Sequence, residues 1–76
     1  MKKMLICSNN RFPYNKYYLI KVCSKNIYGI MISNKMSKDF VIGIGKNKEK
    51  MKEVIKHLSN KDVSPLHLVD IIDEYT

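Results

Sequence analysis

The sequence predicts an α+β domain in which a four-stranded antiparallel β-meander is followed by two α-helices packed on one face of the sheet. Three observations predict it. Four short segments rich in β-branched and aromatic residues alternate with the period of a strand, and polar turns separate them. Two segments with apolar residues at helical spacing follow. The length of 76 residues allows one hydrophobic core, so residues 1–76 are expected to form a single small domain.

The predicted strands come first in the chain. They span Met4–Cys7, Tyr17–Cys23, Ile27–Ser33 and Asp39–Ile44. Turns are predicted at 24–26 and 34–38, and the polar loop at 8–16, interrupted by Pro13, is the longest irregular segment. This order favours a meander, because short turns join antiparallel neighbours.

Alternation assigns the strand side chains to two faces. The face predicted to hold the helices carries Tyr18, Ile20, Val22, Tyr28, Ile30, Ile32, Phe40, Ile42 and Ile44. The opposite face carries an apolar set that we interpret as partner-binding, namely Tyr17, Leu19, Cys23, Ile27, Met31 and Val41. Lys21 and Ser33 share this face, and exposed apolar patches of this kind usually mark interfaces. The alternative is that the loop at 8–16 folds over it.

Two amphipathic helices are predicted after the strands. Residues 46–58 show the i, i+3, i+4, i+7 stripe of a helix that packs on a core, formed by Met51, Val54, Ile55 and Leu58. In a second helix at 65–75, Ser64 is the predicted N-cap through its hydroxyl and Pro65 is the first helical residue. The core face of this helix is predicted to carry Leu68, Val69, Ile71, Ile72 and Tyr75. Its outward face is predicted to carry His67, Asp70, Asp73 and Glu74.

The net charge of +7 is unevenly distributed along the chain. Residues 1–38 contain eight Lys or Arg and no acidic residue, whereas residues 64–76 contain three acidic residues and no Lys or Arg. A positive field attracts phosphate polymers and acidic protein surfaces alike. The two helices are not expected to form a DNA-binding helix-turn-helix motif. In that motif the second helix enters the major groove, and here it would present acidic side chains to the DNA phosphates.

A nucleic-acid contact is therefore predicted only in the basic, aromatic segment at 11–25. Its candidate residues are Arg11, Phe12, Tyr14, Lys16, Tyr17, Lys21 and Lys25, which combine cations with rings able to stack on bases. The alternative is that this segment binds no nucleic acid and is a flexible loop followed by aromatic residues of the core.

The sequence contains no arrangement typical of catalysis, and we expect no cofactor and no metal. The spacing of Cys7, Cys23, His57 and His67 does not fit a zinc module, and both cysteines are predicted to be packed thiols. A solvent-facing His67 near Asp70 is expected to be a surface pair rather than a general base. There is no apolar run of about 20 residues and no signal-peptide pattern, so a cytoplasmic location is expected.

Three stretches resemble a known family: Tyr28-Gly29-Ile30, the end of the first helix at Leu58-Ser59-Asn60, and above all residues 63–75 with their Ser-Pro-x-His-Leu-x-Asp pattern. The chain resembles a family of small, functionally uncharacterised proteins of Clostridia-type bacteria over roughly residues 27–76. The resemblance implies a small bacterial cytoplasmic protein and brings no activity, ligand or catalytic residue.

From these observations we expect a non-enzymatic protein-interaction or regulatory module. It would bind a protein partner or a second copy of itself, or act as an inhibitor carried by a mobile element. The alternative is a nucleic-acid-binding protein that uses residues 11–25.

Overall fold

The computed structural model describes residues 2–12, 14–22 and 26–72, and within them the side chains of all but residues 42–44. The strands β1 (Lys2–Ser8), β2 (Lys16–Val22), β3 (Ile27–Ser33) and β4 (Lys38–Gly45) form one antiparallel sheet in chain order. They are followed by helix α1 (Lys48–Asn60), a 3₁₀ turn (Pro65–His67) and the short helix α2 (Leu68–Ile72). The predicted fold class, a four-stranded meander followed by two helices, is confirmed.

The strand register differs from the predicted one by one residue in both of the later hairpins. Val22 pairs with Ile27, so the β2–β3 connection has four residues where the sequence predicted three. Ser33 pairs with Lys38, so the β3–β4 connection also has four, where the sequence predicted five. A shift of one residue moves every side chain of a strand to the other face.

The face assignment of β2 and β4 is consequently wrong, whereas that of β3 is correct. The described side chains of these three strands that pack beneath the helices are Tyr17 and Leu19 from β2, Tyr28, Ile30 and Ile32 from β3, and Val41 from β4. Tyr18, Ile20 and Phe40, which were expected in these positions, lie on the opposite side of the sheet. The predicted positions Ile42 and Ile44 lie outside the described side chains.

Helix α1 supplies the other half of the core as its periodicity predicts. Its four stripe residues, Met51, Val54, Ile55 and Leu58, are all buried. Asn47 caps the helix by accepting a hydrogen bond from the backbone N–H of Lys50 at 3.1 Å. On the solvent side of the helix, Lys52 Nζ lies 3.9 Å from Glu49 Oε1, an i, i+3 charge pair.

The chain after α1 is only partly helical. Ser64 stands at the N-cap and Pro65 follows it, but the Ser64 hydroxyl makes no capping hydrogen bond, contrary to prediction. Leu68 and Ile72 are buried as predicted, whereas Val69 is 53% exposed and does not belong to the core. The predicted positions Asp73, Glu74 and Tyr75 lie outside the described residues. None of the helices that the structure describes has the length and apolar character required to cross a bilayer.

Candidate binding surface

The sheet surface opposite the helices, called the open face here, carries an apolar row that crosses all four strands. Leu5, Tyr18, Met31 and Phe40 are successive cross-strand partners in this row. Strands lie about 4.8 Å apart, so the row is about 14 Å long. Leu5 is 50% exposed and Phe40 47% exposed, whereas Met31 is covered by its neighbours. The row therefore leaves apolar and aromatic surface accessible to solvent.

Lysines border this row on both sides. On one side, Lys16, Ser33 and Lys38 are cross-strand partners; on the other, Lys3 pairs with Ile20. All three lysines are exposed. The side chains described for the open face include no carboxylate, because Asp39 pairs with Ile32 on the helix side and the other acidic residues that the structure describes belong to the helices and the turns. The open face is thus cationic as well as apolar.

Two tyrosine rings are each paired with an ammonium group. The Nζ atom of Lys3 lies 5.1 Å from the ring centroid of Tyr18 on the open face. The Nζ atom of Lys35 lies 6.0 Å from the ring centroid of Tyr14 in the preceding loop. Tyr14 in turn packs edge-to-face against Phe12, with centroids 6.1 Å apart, and Phe12 is 68% exposed. Both are cation–π contacts, with the Tyr14 ring exposed and the Tyr18 ring half-buried.

Two shallow cavities connect these groups. One, of about 270 Å³, is lined by Lys2, Lys3, Ile20, Met31, Lys38 and Phe40. The other, of about 230 Å³, is lined by Tyr14, Lys16, Tyr18, Ser33, Asn34 and Lys35. Tyr18 lines the second cavity and is the cross-strand partner of Met31, which lines the first, so Tyr14 and the apolar row belong to one continuous surface.

The loop that carries Phe12 and Tyr14 is anchored on the helix side. The amide nitrogens of Asn9 and Asn15 donate to the same carboxylate oxygen of Asp62, at 2.6 and 3.2 Å. The Asn9 side chain also accepts a hydrogen bond from the Ser59 hydroxyl at 3.1 Å. The described loop residues leave Leu5 and Phe40 of the open face about half exposed, so they do not cover the apolar row as a whole.

Tyr17 has a structural position rather than a surface one. Its ring is fully buried, and its hydroxyl donates to the carbonyl oxygen of Val63 at 2.9 Å. The side-chain amide of Asn9 donates to the same hydroxyl at 3.4 Å. Burial raises the pKa of the Tyr17 phenol above its usual value. Tyr17 links the sheet to the turn between α1 and the 3₁₀ turn.

The six residues predicted to bind a partner do not form one surface. Tyr17 and Leu19 are buried beneath the helices, and Val41 packs against the same core. Met31 and Ile27 lie on the open face, at positions paired with Tyr18 and Val22. Cys23 lies outside the described residues. The apolar open face exists, but Met31 is joined in its apolar row by Leu5, Tyr18 and Phe40, which were not in the predicted partner-binding set.

The residues predicted to bind nucleic acid are only partly brought together by the fold. Arg11, Phe12, Tyr14 and Lys16 are exposed and lie at one end of the sheet. Tyr17 belongs to the core, and the exposed Lys21, which pairs with Tyr28, extends from the helix side. Lys25 lies outside the described residues. The set therefore contributes four neighbouring residues to the exposed surface, together with Lys35, which the sequence did not single out.

Groups suited to metal or acid–base chemistry are dispersed. The residues that the structure describes include no cluster of three or more His, Cys, Asp or Glu able to hold a metal ion. Cys7 is partly buried and packs against the core, as predicted for a packed thiol. His67 and Asp70 are both exposed on the C-terminal segment.

The family model described as a family of unknown function, DUF6514, matches residues 2–76. The chain belongs to this family. The resemblance of the sequence to an uncharacterised family is confirmed, and the DUF6514 match extends it to the strands before residue 27. No curated protein and no solved structure matches the chain.

Proposed function

We propose that this chain is a non-enzymatic interaction module that binds a negatively charged partner through the open face of its sheet. One observation carries the proposal: an apolar row, formed by Leu5, Tyr18, Met31 and Phe40, is bordered by exposed lysines, and the described side chains of this face include no carboxylate. A solvated sheet face normally carries polar residues at these positions.

The apolar row and the lysines of the open face contribute to binding in different ways. Burial of the apolar row against a partner supplies affinity, because exposed apolar patches that are enclosed by polar residues are typical of interaction sites. The lysines raise the rate of encounter with an oppositely charged partner and disfavour a partner of the same charge.

Self-association through this face is less favourable than binding to an acidic partner. A symmetric dimer would bring Lys3, Lys16 and Lys38 of two copies into one interface. Their mutual repulsion would oppose the gain from burying the apolar row. A protein of this kind acts by occupying its partner, which is consistent with a role as a regulator or an inhibitor. Origin in Clostridia-type bacteria and location in the cytoplasm remain part of this proposal.

A comparison of two triple variants on immobilised heparin, a polyanion, tests the proposal. One variant replaces Lys3, Lys16 and Lys38 on the open face with Gln, and the matched control replaces Lys48, Lys50 and Lys56 on α1 with Gln. Both variants change the formal net charge from +7 to +4.

We expect the open-face variant to elute at a clearly lower salt concentration than the wild-type protein, and the α1 variant to elute close to the wild type. Equal shifts for the two variants would show that retention depends on net charge alone, and would contradict a binding role for the open face. Circular dichroism spectra identify any variant that is not folded.

A further inference from the structure

We propose that the partner of the open face is a single-stranded nucleic acid, which follows a track from the loop rings of Phe12 and Tyr14 across Tyr18 to Phe40. This inference rests on the proposed function and names the partner. Tyr14 and Tyr18 line the same cavity, and Tyr18 and Phe40 are the two cross-strand neighbours of Met31. The rings therefore succeed one another along one surface rather than lying scattered on several.

The repeated pairing of a ring with an ammonium group is the observation that favours nucleic acid. A nucleotide presents a base, which stacks on an aromatic face, and a phosphate, which requires a cation. Lys3 with Tyr18, and Lys35 with Tyr14, provide this combination twice, at 5.1 and 6.0 Å. Lys16 lines the same cavity as Tyr14, Tyr18 and Lys35 and adds a third ammonium group. Single-strand binding sites combine such a positive groove with successive stacking rings.

Binding of a nucleotide would replace the contact between a lysine and a tyrosine ring with a contact between a base and the same ring. In the free protein the Lys35 ammonium group rests near the exposed ring of Tyr14, and the Lys3 ammonium group rests near the half-buried ring of Tyr18. A cation–π contact is weak where solvent reaches it. A base that stacks on Tyr18 takes the place of the Lys3 ammonium group, which then becomes available to a phosphate of the same strand. Base stacking on an aromatic ring is the stronger of the two ring contacts.

The other polyanions fit the open face less well. An acidic protein surface would need the lysines and the apolar row, but it makes no particular use of exposed aromatic rings outside that row, such as Phe12 and Tyr14. A nucleic-acid duplex presents phosphates, while its bases are stacked on one another inside the helix and do not reach the rings. The combination of lysines with accessible rings is therefore best matched by an unpaired strand.

Fluorescence anisotropy with labelled oligonucleotides of twelve thymidines or twelve uridines tests the inference. Tyr14→Leu and Tyr18→Leu keep an apolar side chain but remove the ring. Each is expected to weaken binding about tenfold, from the contribution of one stacked base. Tyr18→Phe keeps the ring and is expected to bind within about twofold of the wild type, since stacking tolerates loss of the hydroxyl.

The salt dependence provides a second readout. If Lys3, Lys16 and Lys35 each neutralise one phosphate, the affinity is expected to fall about 20-fold between 50 and 200 mM salt, since each contact contributes about −0.7 to the logarithmic slope. Lys3→Gln is expected to reduce that slope by about 0.7. Leu66→Ala, which removes a 79% exposed apolar side chain from the C-terminal segment, is the control and should leave affinity unchanged.

Two results would overturn the inference and leave the proposed function intact. The first is oligonucleotide binding that is insensitive to both Tyr→Leu variants while heparin retention still depends on the open-face lysines. The second is binding of a poly-glutamate peptide or of a matched duplex as tight as that of the single strand. If heparin retention itself does not depend on the open-face lysines, the proposed function fails as well.

Discussion

Removing one hydroxyl group from either of two adjacent tyrosines tests which face of the sheet is available to a partner. Tyr17 and Tyr18 are neighbours in β2, but Tyr17 is fully buried beneath the helices and Tyr18 lies on the open face. The two substitutions, Tyr17→Phe and Tyr18→Phe, remove the same atom from opposite sides of the same strand. They form a matched pair.

The expected costs of the two substitutions differ because, within the described part of the chain, the Tyr17 hydroxyl has a buried hydrogen-bond partner and the Tyr18 hydroxyl has none. It donates to the carbonyl oxygen of Val63 at 2.9 Å, and Val63 is only 6% exposed. Loss of this donor leaves a buried carbonyl unsatisfied, at a cost of about 1–3 kcal/mol. Tyr18→Phe keeps the ring beside Lys3 and is expected to change stability by no more than about 0.5 kcal/mol.

Thermal and urea-induced unfolding, followed by circular dichroism, measure both costs. For a domain of this size each kcal/mol lowers the melting temperature by about 4–8 °C, so Tyr17→Phe should unfold about 4–24 °C below the wild type. Tyr18→Phe should unfold within about 4 °C of it. A Tyr18→Phe variant that loses as much stability as Tyr17→Phe would refute the face assignment, and with it the open face as a free surface.

Three further predictions concern the core and the loop anchor. Leu58→Ala removes a fully buried side chain from α1 and should lower the free energy of unfolding in urea by about 2–5 kcal/mol. An unchanged urea midpoint would contradict the core position of Leu58. Asp62→Ala removes the acceptor of two amide donors and puts Ala at a φ of 54°, so it should lower the free energy of unfolding by about 1–3 kcal/mol. Asp62→Asn keeps an acceptor and tolerates a positive φ, so its effect should be smaller. The raised pKa of Tyr17 predicts a stability contribution that is complete below pH 10 and is lost as the pH rises further, because the unfolded chain releases the proton first. The stability difference between wild type and Tyr17→Phe should therefore shrink between pH 9 and pH 11, and a difference that grows would contradict the burial of this phenol.

The α1 helix could be predicted in detail because its signal is local. Met51, Val54, Ile55 and Leu58 repeat at helical spacing within eight residues, and all four are buried. The cap residue Asn47 was not identified, so the predicted start at residue 46 precedes the observed start at Lys48. Helix periodicity locates the buried face without reference to the rest of the chain.

The faces of β2 could not be predicted from hydrophobicity, because both of them are apolar. Tyr17 and Leu19 alternate with Tyr18 and Ile20, so neither phase of the strand is distinguished by polarity. The choice depends on the length of the connection to β3, where one residue more or less reverses the faces. The sequence predicted a connection one residue too short.

Asn34, at the start of the turn between β3 and β4, is a sequence signal from which the pairing of these two strands could have been predicted correctly. The side-chain oxygen of Asn34 accepts hydrogen bonds from the backbone N–H groups of Met36 and Ser37, at 2.8 and 2.9 Å. Asparagine is favoured at such turns because its side chain can make these local hydrogen bonds. With the turn limited to residues 34–37, Lys38 opposes Ser33 and Phe40 lies on the open face.

The loop anchor could not be predicted from the sequence pattern. Asn9 and Asp62 are 53 positions apart, and their contact depends on how the sheet and α1 pack. Polar residues in a loop give no indication of the partner they will find at that distance. The position of Phe12 and Tyr14 beside the open face therefore became visible only in the folded chain.

Methionine methyl NMR provides the most direct test of the open face as the binding surface. Met31 and Met51 are equally well buried, 6% and 4% exposed, but Met31 lies in the apolar row of the open face and Met51 lies in the core beneath α1. In protein labelled with ¹³C at the methionine methyls, titration with the twelve-thymidine oligonucleotide is predicted to shift the Met31 resonance and leave Met51 in place. A shift at Met51 without one at Met31, or no shift at either at saturating oligonucleotide, would contradict binding at the open face.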